Sequence, residues 1–284
     1  MTMPDWKTVP ITDHDLGHGL HMIESFGGNV GVLSTPDGTV IVDAEYPDIA
    51  DRLHNITASF SNAPVRFLIE THFHWDHSGG ASRYALEGAT IIGSEETRRY
   101  LLEAQNRAEN RPGEFPKDPL SLPSVALQSG AAIVLHVGKQ TVEVRHLPSA
   151  HTDGDLLIRF VEADVIQTGD SFFKGFYPYI DVRHGGTIDG MIALCDTLAR
   201  MAGPNTKIIP GHGAIATRAD AVTYGTMLRT VRARVQAGIT QGLTIEQLIA
   251  KQPLADLDPQ YGGNLIKAPT LLRLVYDDLT RKKG

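Results

Sequence analysis

Four side chains able to bind a metal, His72, His74, Asp76 and His77, fall within the segment THFHWDHSGG at residues 71–80, directly after the apolar run Val65–Ile69. Alternate residues of an extended chain point the same way, so His72, His74 and Asp76 are expected to share a side. His77 must then reach its target from another direction, where the strand gives way to a turn that Gly79 and Gly80 permit. Imidazole together with carboxylate is the donor set of zinc, manganese or iron, whereas calcium and magnesium sites are built mainly from oxygen. Three further donors follow at wide intervals, each after an apolar run and beside glycine: His151 in SAHTDGD, Asp170 in QTGD and His212 in IIPGHG. Donors on loops at strand ends are what a rigid scaffold with a metal site at one edge requires.

The elements that would position these residues are legible as patterns. Apolar strand-like runs occur near residues 20–24, 29–34, 39–43, 65–69, 89–92, 132–136, 141–147, 155–161, 164–167 and 207–209. Helical spacing of apolar residues covers 49–60, 95–108, 188–202 and 219–237, and Thr244 with Gln247 forms a capping box for a helix over 245–250. Strands in two batches, each followed by helices, predict an α+β chain in which two sheets pack face to face with helices outside. Residues 268–279 are amphipathic, with Leu271, Leu272, Leu274 and Val275 on one face, a pattern that suits core packing and a dimer contact equally.

Composition narrows the function. The 284 residues, 42% hydrophobic, are enough to bury a large core in a single domain. A net charge of −7 argues against a general affinity for nucleic acid, which needs clustered Lys and Arg, and no apolar run is long enough to span a membrane. The N-terminus has neither a basic start nor an apolar stretch, and the single cysteine, Cys195, has no internal partner for a disulfide, so a cytoplasmic location is expected. Cys195 falls within a helical pattern, where it reads as a small buried apolar residue rather than a nucleophile.

The order of these motifs over residues 20–215 resembles the metallo-β-lactamase superfamily of metallohydrolases, including the early strand pair GGNVGVLSTPDGTVIVDAEY, in which Asp43 ends a strand. The resemblance implies a four-layer αββα sandwich of two mainly antiparallel sheets. It also implies one such domain over 1–284, with a core at about 20–215 and C-terminal helices at about 218–281. Carried over position by position, His72, His74 and His151 would hold one metal and Asp76, His77 and His212 the other, with Asp170 bridging them. Two Zn²⁺ are expected, with iron or manganese as alternatives. Two metals so placed would hold a bridging hydroxide that attacks a polarised carbonyl, and Asp76 and Asp170 would be the catalytic carboxylates.

The expected substrate is a small molecule: an ester, lactone, thioester or amide. THFHWDH is similar to the motif of hydroxyacylglutathione hydrolases, but a glutathione-binding segment is not recognisable. Asp170 matches the quorum-signal lactonases, whose following tyrosine is replaced here by Phe172, Phe173 and Lys174. Zinc β-lactamases place a cysteine where Asp170 stands, and β-lactam ring opening remains a candidate side activity. An alternative in a different class is a persulfide dioxygenase with one iron on His72, His151 and Asp170. Two irregular stretches are candidate pocket walls: residues 110–124, rich in proline and polar side chains, and residues 171–186. The second contributes Phe173, Lys174, Phe176, Tyr177, Tyr179 and His184 as candidate substrate-binding residues. Oligomeric state is not legible.

Overall fold

The computed structural model describes residues 3–106, 119–263 and 266–281. These fall into two compact units, a larger one comprising Thr2–Leu147 with Gly154–Gly169 and a smaller one comprising Pro148–Asp153 with Asp170–Gly284.

In the larger unit, runs rich in β-branched and aromatic residues form strands β1 (Thr12–Gly17), β2 (Leu20–Glu24), β3 (Val30–Thr35), β4 (Gly38–Val42), β5 (Val65–Ile69), β6 (Thr90–Ser94) and β7 (Val125–Leu127), which lie in chain order in one sheet. Tight turns join β1 to β4, so these strands pair antiparallel, with Val32 opposite Ile41 across β3 and β4. From β4 onward the pairing is parallel, with Leu68 beside Ile91, because each connection carries a helix. Those helices are α1 (Ala50–Phe60), α2 (Trp75–Ser78) with α3 (Ala81–Ala85), and α4 (Glu95–Asn106). The expected predominance of antiparallel pairing therefore holds for only half of this sheet. Strands β8 (Ala132–Val137), β9 (Gln140–His146), β10 (Leu156–Phe160) and β11 (Val165–Gln167) form the antiparallel second sheet.

One face of the first sheet is buried under its helices: Ile23, Val32, Ile41 and Leu68 meet Leu53, Ala81 and Tyr84. On its other face Gly31 leaves room for Gln167 of β11, whose side-chain amide donates to the carbonyls of Asn29 and Val42. The two sheets thus pack face to face and share one core.

The smaller unit holds β12 (Lys207–Ile209) and the helices α5 (Ile188–Met201), α6 (Arg218–Thr240), α7 (Ile245–Ala250), α8 (Asp258–Tyr261) and α9 (Ala268–Thr280). Thr217 and Thr244 cap α6 and α7 in capping boxes, the second as the sequence predicts. Leu271, Leu272 and Val275 are buried as α9 packs on α6 and α7, so the amphipathic face is used within the chain.

The strand and helix patterns read from the sequence are recovered to within a few residues, whereas β1, β7 and the short α2, α3 and α8 were not foreseen. Residues 107–118, most of the first predicted pocket stretch, lie outside the described residues. No helix among the described residues is long and apolar enough to cross a membrane.

Candidate metal centre

The THFHWDH segment begins where β5 ends, beside the C-terminal end of the parallel neighbour β4, the edge at which open parallel sheets place functional groups. It does not continue as an extended strand. His74 is the last extended residue and caps α2, so Asp76 and His77 stand on a helical turn. The parity argument therefore does not reach Asp76. The reason is local: the hydroxyl of Ser78 donates to the carbonyls of Phe73 and His74, closing the chain into a turn that Gly79 and Gly80 then carry away.

The imidazoles are held from behind. The His72 ring lies 4.4 Å from that of His77 and 4.8 Å from that of His74, centroid to centroid. Nδ1 of His77 lies 2.8 Å from Oδ2 of Asp43, and Nδ1 of His72 lies 3.1 Å from the hydroxyl of Thr71. Asp43 also accepts from the backbone amide and the hydroxyl of Thr71. This fully buried carboxylate sits in left-handed backbone at φ 64°, an unusual conformation for a residue other than glycine. Burial pushes its pKa up, and the neighbouring His77 and the Thr71 hydrogen bonds pull it down. With Nδ1 of each ring directed at these oxygens, Nε2 is the nitrogen that would act as ligand atom, the usual arrangement of histidine ligands.

The other three predicted donors lie in the smaller unit. His151 stands in a tight loop: its Nδ1 lies 2.8 Å from the Tyr179 carbonyl, its own carbonyl accepts from the Asp181 amide, and Gly186 is packed so closely against that carbonyl that no side chain fits there. Asp170 lies between two imidazoles, with Oδ2 3.7 Å from Nε2 of His151 and Oδ1 3.3 Å from Nε2 of His212. The ring of Phe173 stacks on His212 at 5.7 Å and 5° between planes.

The remaining predicted site residues have varied environments. The Lys174 ammonium donates to Asp220 and to the Ile215 carbonyl. Tyr177 is buried and donates its hydroxyl to Asp258, while Tyr179 is the exposed aromatic of the loop. Phe176 is half-buried, near Gly213. His184 is paired through Nδ1 with Asp181 at 2.6 Å.

Several contributors were missed by sequence reading. Glu45, also at positive φ, accepts from the Gly27 and Tyr46 amides, and Gly28 donates to the Asp76 carbonyl, so the turn between β2 and β3 is tied to the metal-ligand turn. Half-buried Trp6, Phe26, Tyr46 and Trp75 form a continuous aromatic wall there, with centroids 5.1–6.2 Å apart. The Gly27-Gly28 pair was the one available signal. Glu70 is fully buried, and burial followed by the charge of Asp43 pushes its carboxyl well above the ordinary range.

The family model described as the metallo-beta-lactamase superfamily matches residues 24–212. The chain belongs to the metallo-beta-lactamase superfamily. Within that superfamily it is 26% identical over 212 residues to the acyl-coenzyme A thioesterase MBLAC2 of Gallus gallus, covering 70% of this chain and 66% of that protein. It is 28% identical over 174 residues to the Bos taurus protein of the same name, covering 55% and 59%. The matched stretch thus spans less than two thirds of each relative. Similar solved structures include a metallo-beta-lactamase from Pontibacter korlensis (TM-score 0.64, 14% identity, 78% of this chain and 99% of that one) and a variant of the sec-alkyl sulfatase PisA1 (TM-score 0.72, 14% identity, 95% and 50%). At such identities the likeness establishes the fold, the α+β metallo-β-lactamase fold expected from the sequence. The superfamily match and the thioesterase relatives support the hydrolase reading.

Two predictions follow from the local chemistry. Asp43→Asn is expected to weaken metal binding by about 10–100-fold, because it loosens the orientation of His77. Competition with a chelating indicator checks this, and unchanged affinity would remove Asp43 from the site. Cys195 is buried, and burial pushes its thiol up to about 12. The unfolded thiol titrates near 8.5, so this group's contribution to stability is whole below about pH 8.5 and is lost as pH rises through the folded value. Iodoacetamide at about pH 8 should leave the native chain unmodified and label it in denaturant; equal labelling in both would refute the burial.

Proposed function

We propose that the chain is a dinuclear zinc-dependent hydrolase of a small ester, thioester, lactone or amide, with thioesters first among them, and that both units act as one catalytic domain. His72, His74, His151 and Asp170 form one donor group and Asp76, His77 and His212 a second, with Asp170 serving both ions. The observation that carries this reading is the orientation of the imidazoles: His72, His77 and His151 each have Nδ1 at an oxygen of their own unit, so Nε2 would be the ligand atom of each ring. The donor set of nitrogen and carboxylate oxygen, with no thiolate, fits zinc, iron or manganese. Bound divalent ions would acidify a water and polarise a carbonyl.

The chain's own residues do the remaining work. Asp170, placed between His151 and His212, fixes the relative position of these two rings. Asp76, on its helical turn, is the carboxylate in this set that is partly open to solvent, and we assign it to orient the attacking water. Trp6, Phe26, Tyr46 and Trp75 offer an apolar surface for an acyl chain, and of the loop residues named from the sequence the exposed Tyr179 and the half-buried His184 are assigned to touch substrate, whereas Tyr177 is buried and Lys174 is paired with Asp220. Thioesters come first because the thioesterase relatives act on acyl-coenzyme A. A reducing, cytoplasmic compartment belongs to the same proposal, supported by the buried free cysteine.

The test is metal analysis of chelator-free protein followed by a panel of acyl-coenzyme A, a lactone and a β-lactam. Close to two zinc per chain with thioester turnover is the expected result. One iron per chain without hydrolysis would favour the dioxygenase alternative.

A further inference from the structure

Near the start of the chain, Asp5 closes a turn by accepting from the amides of Lys7, Thr8 and Val9 through its side chain and its carbonyl. The guanidinium of Arg52, on α1, ties this turn down: it donates to the Trp6 carbonyl at 2.7 Å and to the Val9 carbonyl at 2.9 Å. So held, the Trp6 ring lies edge to face with Phe26 at 5.7 Å and 5.1 Å from Tyr46, which in turn meets Trp75 edge to face at 6.2 Å. This wall joins the metal-ligand turn at two places. Trp75 stands between the donors His74 and Asp76. Phe26 leads into Gly27 and Gly28, and Gly28 lies so close to the His77 ring that a methyl group there would overlap it. All of these residues belong to the larger unit.

We propose that the N-terminal turn is part of the substrate site, with Trp6 selecting an apolar acyl group of hexanoyl length or longer over acetyl and Arg52 acting as the positioning residue that holds Trp6. The proposal rests on the hydrolase reading of the metal centre. All four rings are only half-buried, and a contiguous apolar surface left open beside candidate metal ligands marks a binding site. The order of the rings sets the length preference. Tyr46 separates Trp75 from Trp6, so a short acyl group held at the ligand turn ends before it reaches Trp6, whereas a longer one crosses Tyr46 and packs on it. Each methylene taken up strengthens binding about fourfold.

The test compares hexanoyl- with acetyl-coenzyme A as a ratio of kcat/KM, which does not depend on how much of a variant is folded. The wild-type chain should favour hexanoyl at least tenfold, and Trp6→Ala and Arg52→Ala should each reduce the ratio to about twofold, while Trp6→Phe retains most of it. Arg52→Ala added to Trp6→Ala should lower the ratio no further, because both act through one ring. A second readout needs no turnover. Trp6 and Trp75 are the only tryptophans, so emission reports on this wall alone. 6-Bromohexanoate, whose bromine quenches tryptophan on contact, should quench saturably and at least tenfold more tightly than 3-bromopropionate, and less tightly in Trp6→Ala. An unchanged ratio in Trp6→Ala, a further fall in the double variant, or equal and unsaturable quenching by both acids would overturn the proposal. Saturable, chain-length-dependent quenching without thioester turnover would support the wall and overturn the thioesterase reading.

Discussion

Replacing His72, His151 or Asp170 by alanine, one at a time, is expected to lower turnover by roughly a thousandfold or more and to remove metal in the same step, while the chain remains folded. The size follows from what bound ions contribute to such a reaction, several kcal/mol of transition-state stabilisation, at about 1.4 kcal/mol for each factor of ten. The three positions come from different parts of the chain: His72 follows β5, His151 sits in the loop anchored by Tyr179 and Gly186, and Asp170 follows β11. If they hold ions jointly, elemental analysis should show the same deficit for each variant, with Asp170→Ala affecting both ions and the other two mainly one. Single-turnover kinetics at saturating zinc would separate weakened binding from lost chemistry. An Asp170→Ala protein with full activity would refute the bridging assignment, and a His72→Ala protein with wild-type metal content would refute the donor set.

The second large effect is expected at Gly190. Thr187 caps α5 by accepting from the Gly190 amide, and a methyl group built on Gly190 would overlap the carbonyl oxygen of Ser149. Alanine normally favours a helix over glycine by about 0.5–1 kcal/mol. Here that gain opposes a clash with backbone, which cannot swing aside as a side chain can, and overpacking of this kind costs about 3 kcal/mol. The clash wins. Gly190→Ala should lower Tm by roughly 6 °C or more, and because Ser149 lies two residues before His151 it should also reduce metal retention. Calorimetry with and without excess zinc checks both statements. An unchanged or raised Tm would mean that the start of α5 is free to shift.

Much of the fold was legible because its elements carry their own periodicity. The runs at Val65–Ile69 and Lys207–Ile209 coincide with strands, and the Thr244–Gln247 pair caps a helix as read. Others escaped: α2 and α8 have four residues each, too few to show a helical period, β7 is a short strand that starts on the exposed Val125, and β1 carries charged residues on an exposed strand. The mixed character of the first sheet was also hidden, since strand direction depends on whether a connection crosses over and not on the strand's residues. Within the site the donor types were plain, because few roles other than metal binding need three imidazoles and a carboxylate in one short segment. The groups that hold them were not. Thr71 and the Tyr179 carbonyl are an ordinary residue and ordinary backbone until the fold sets them against His72 and His151, and Glu45 until it holds the Gly27 and Tyr46 amides.

The sequence by itself determined the donor chemistry, the order of the motifs, the superfamily and most strand and helix positions, because each is written in residue type and local spacing. Tertiary structure alone decided that Asp76 and His77 stand on a helical turn, that Asp43 holds His77 and that Lys174 is paired with Asp220. These are contacts between residues far apart in the chain, 34 positions for Asp43 and His77 and 46 for Lys174 and Asp220. Their energies depend on burial and geometry that exist only once the sheets have packed and the connections have closed.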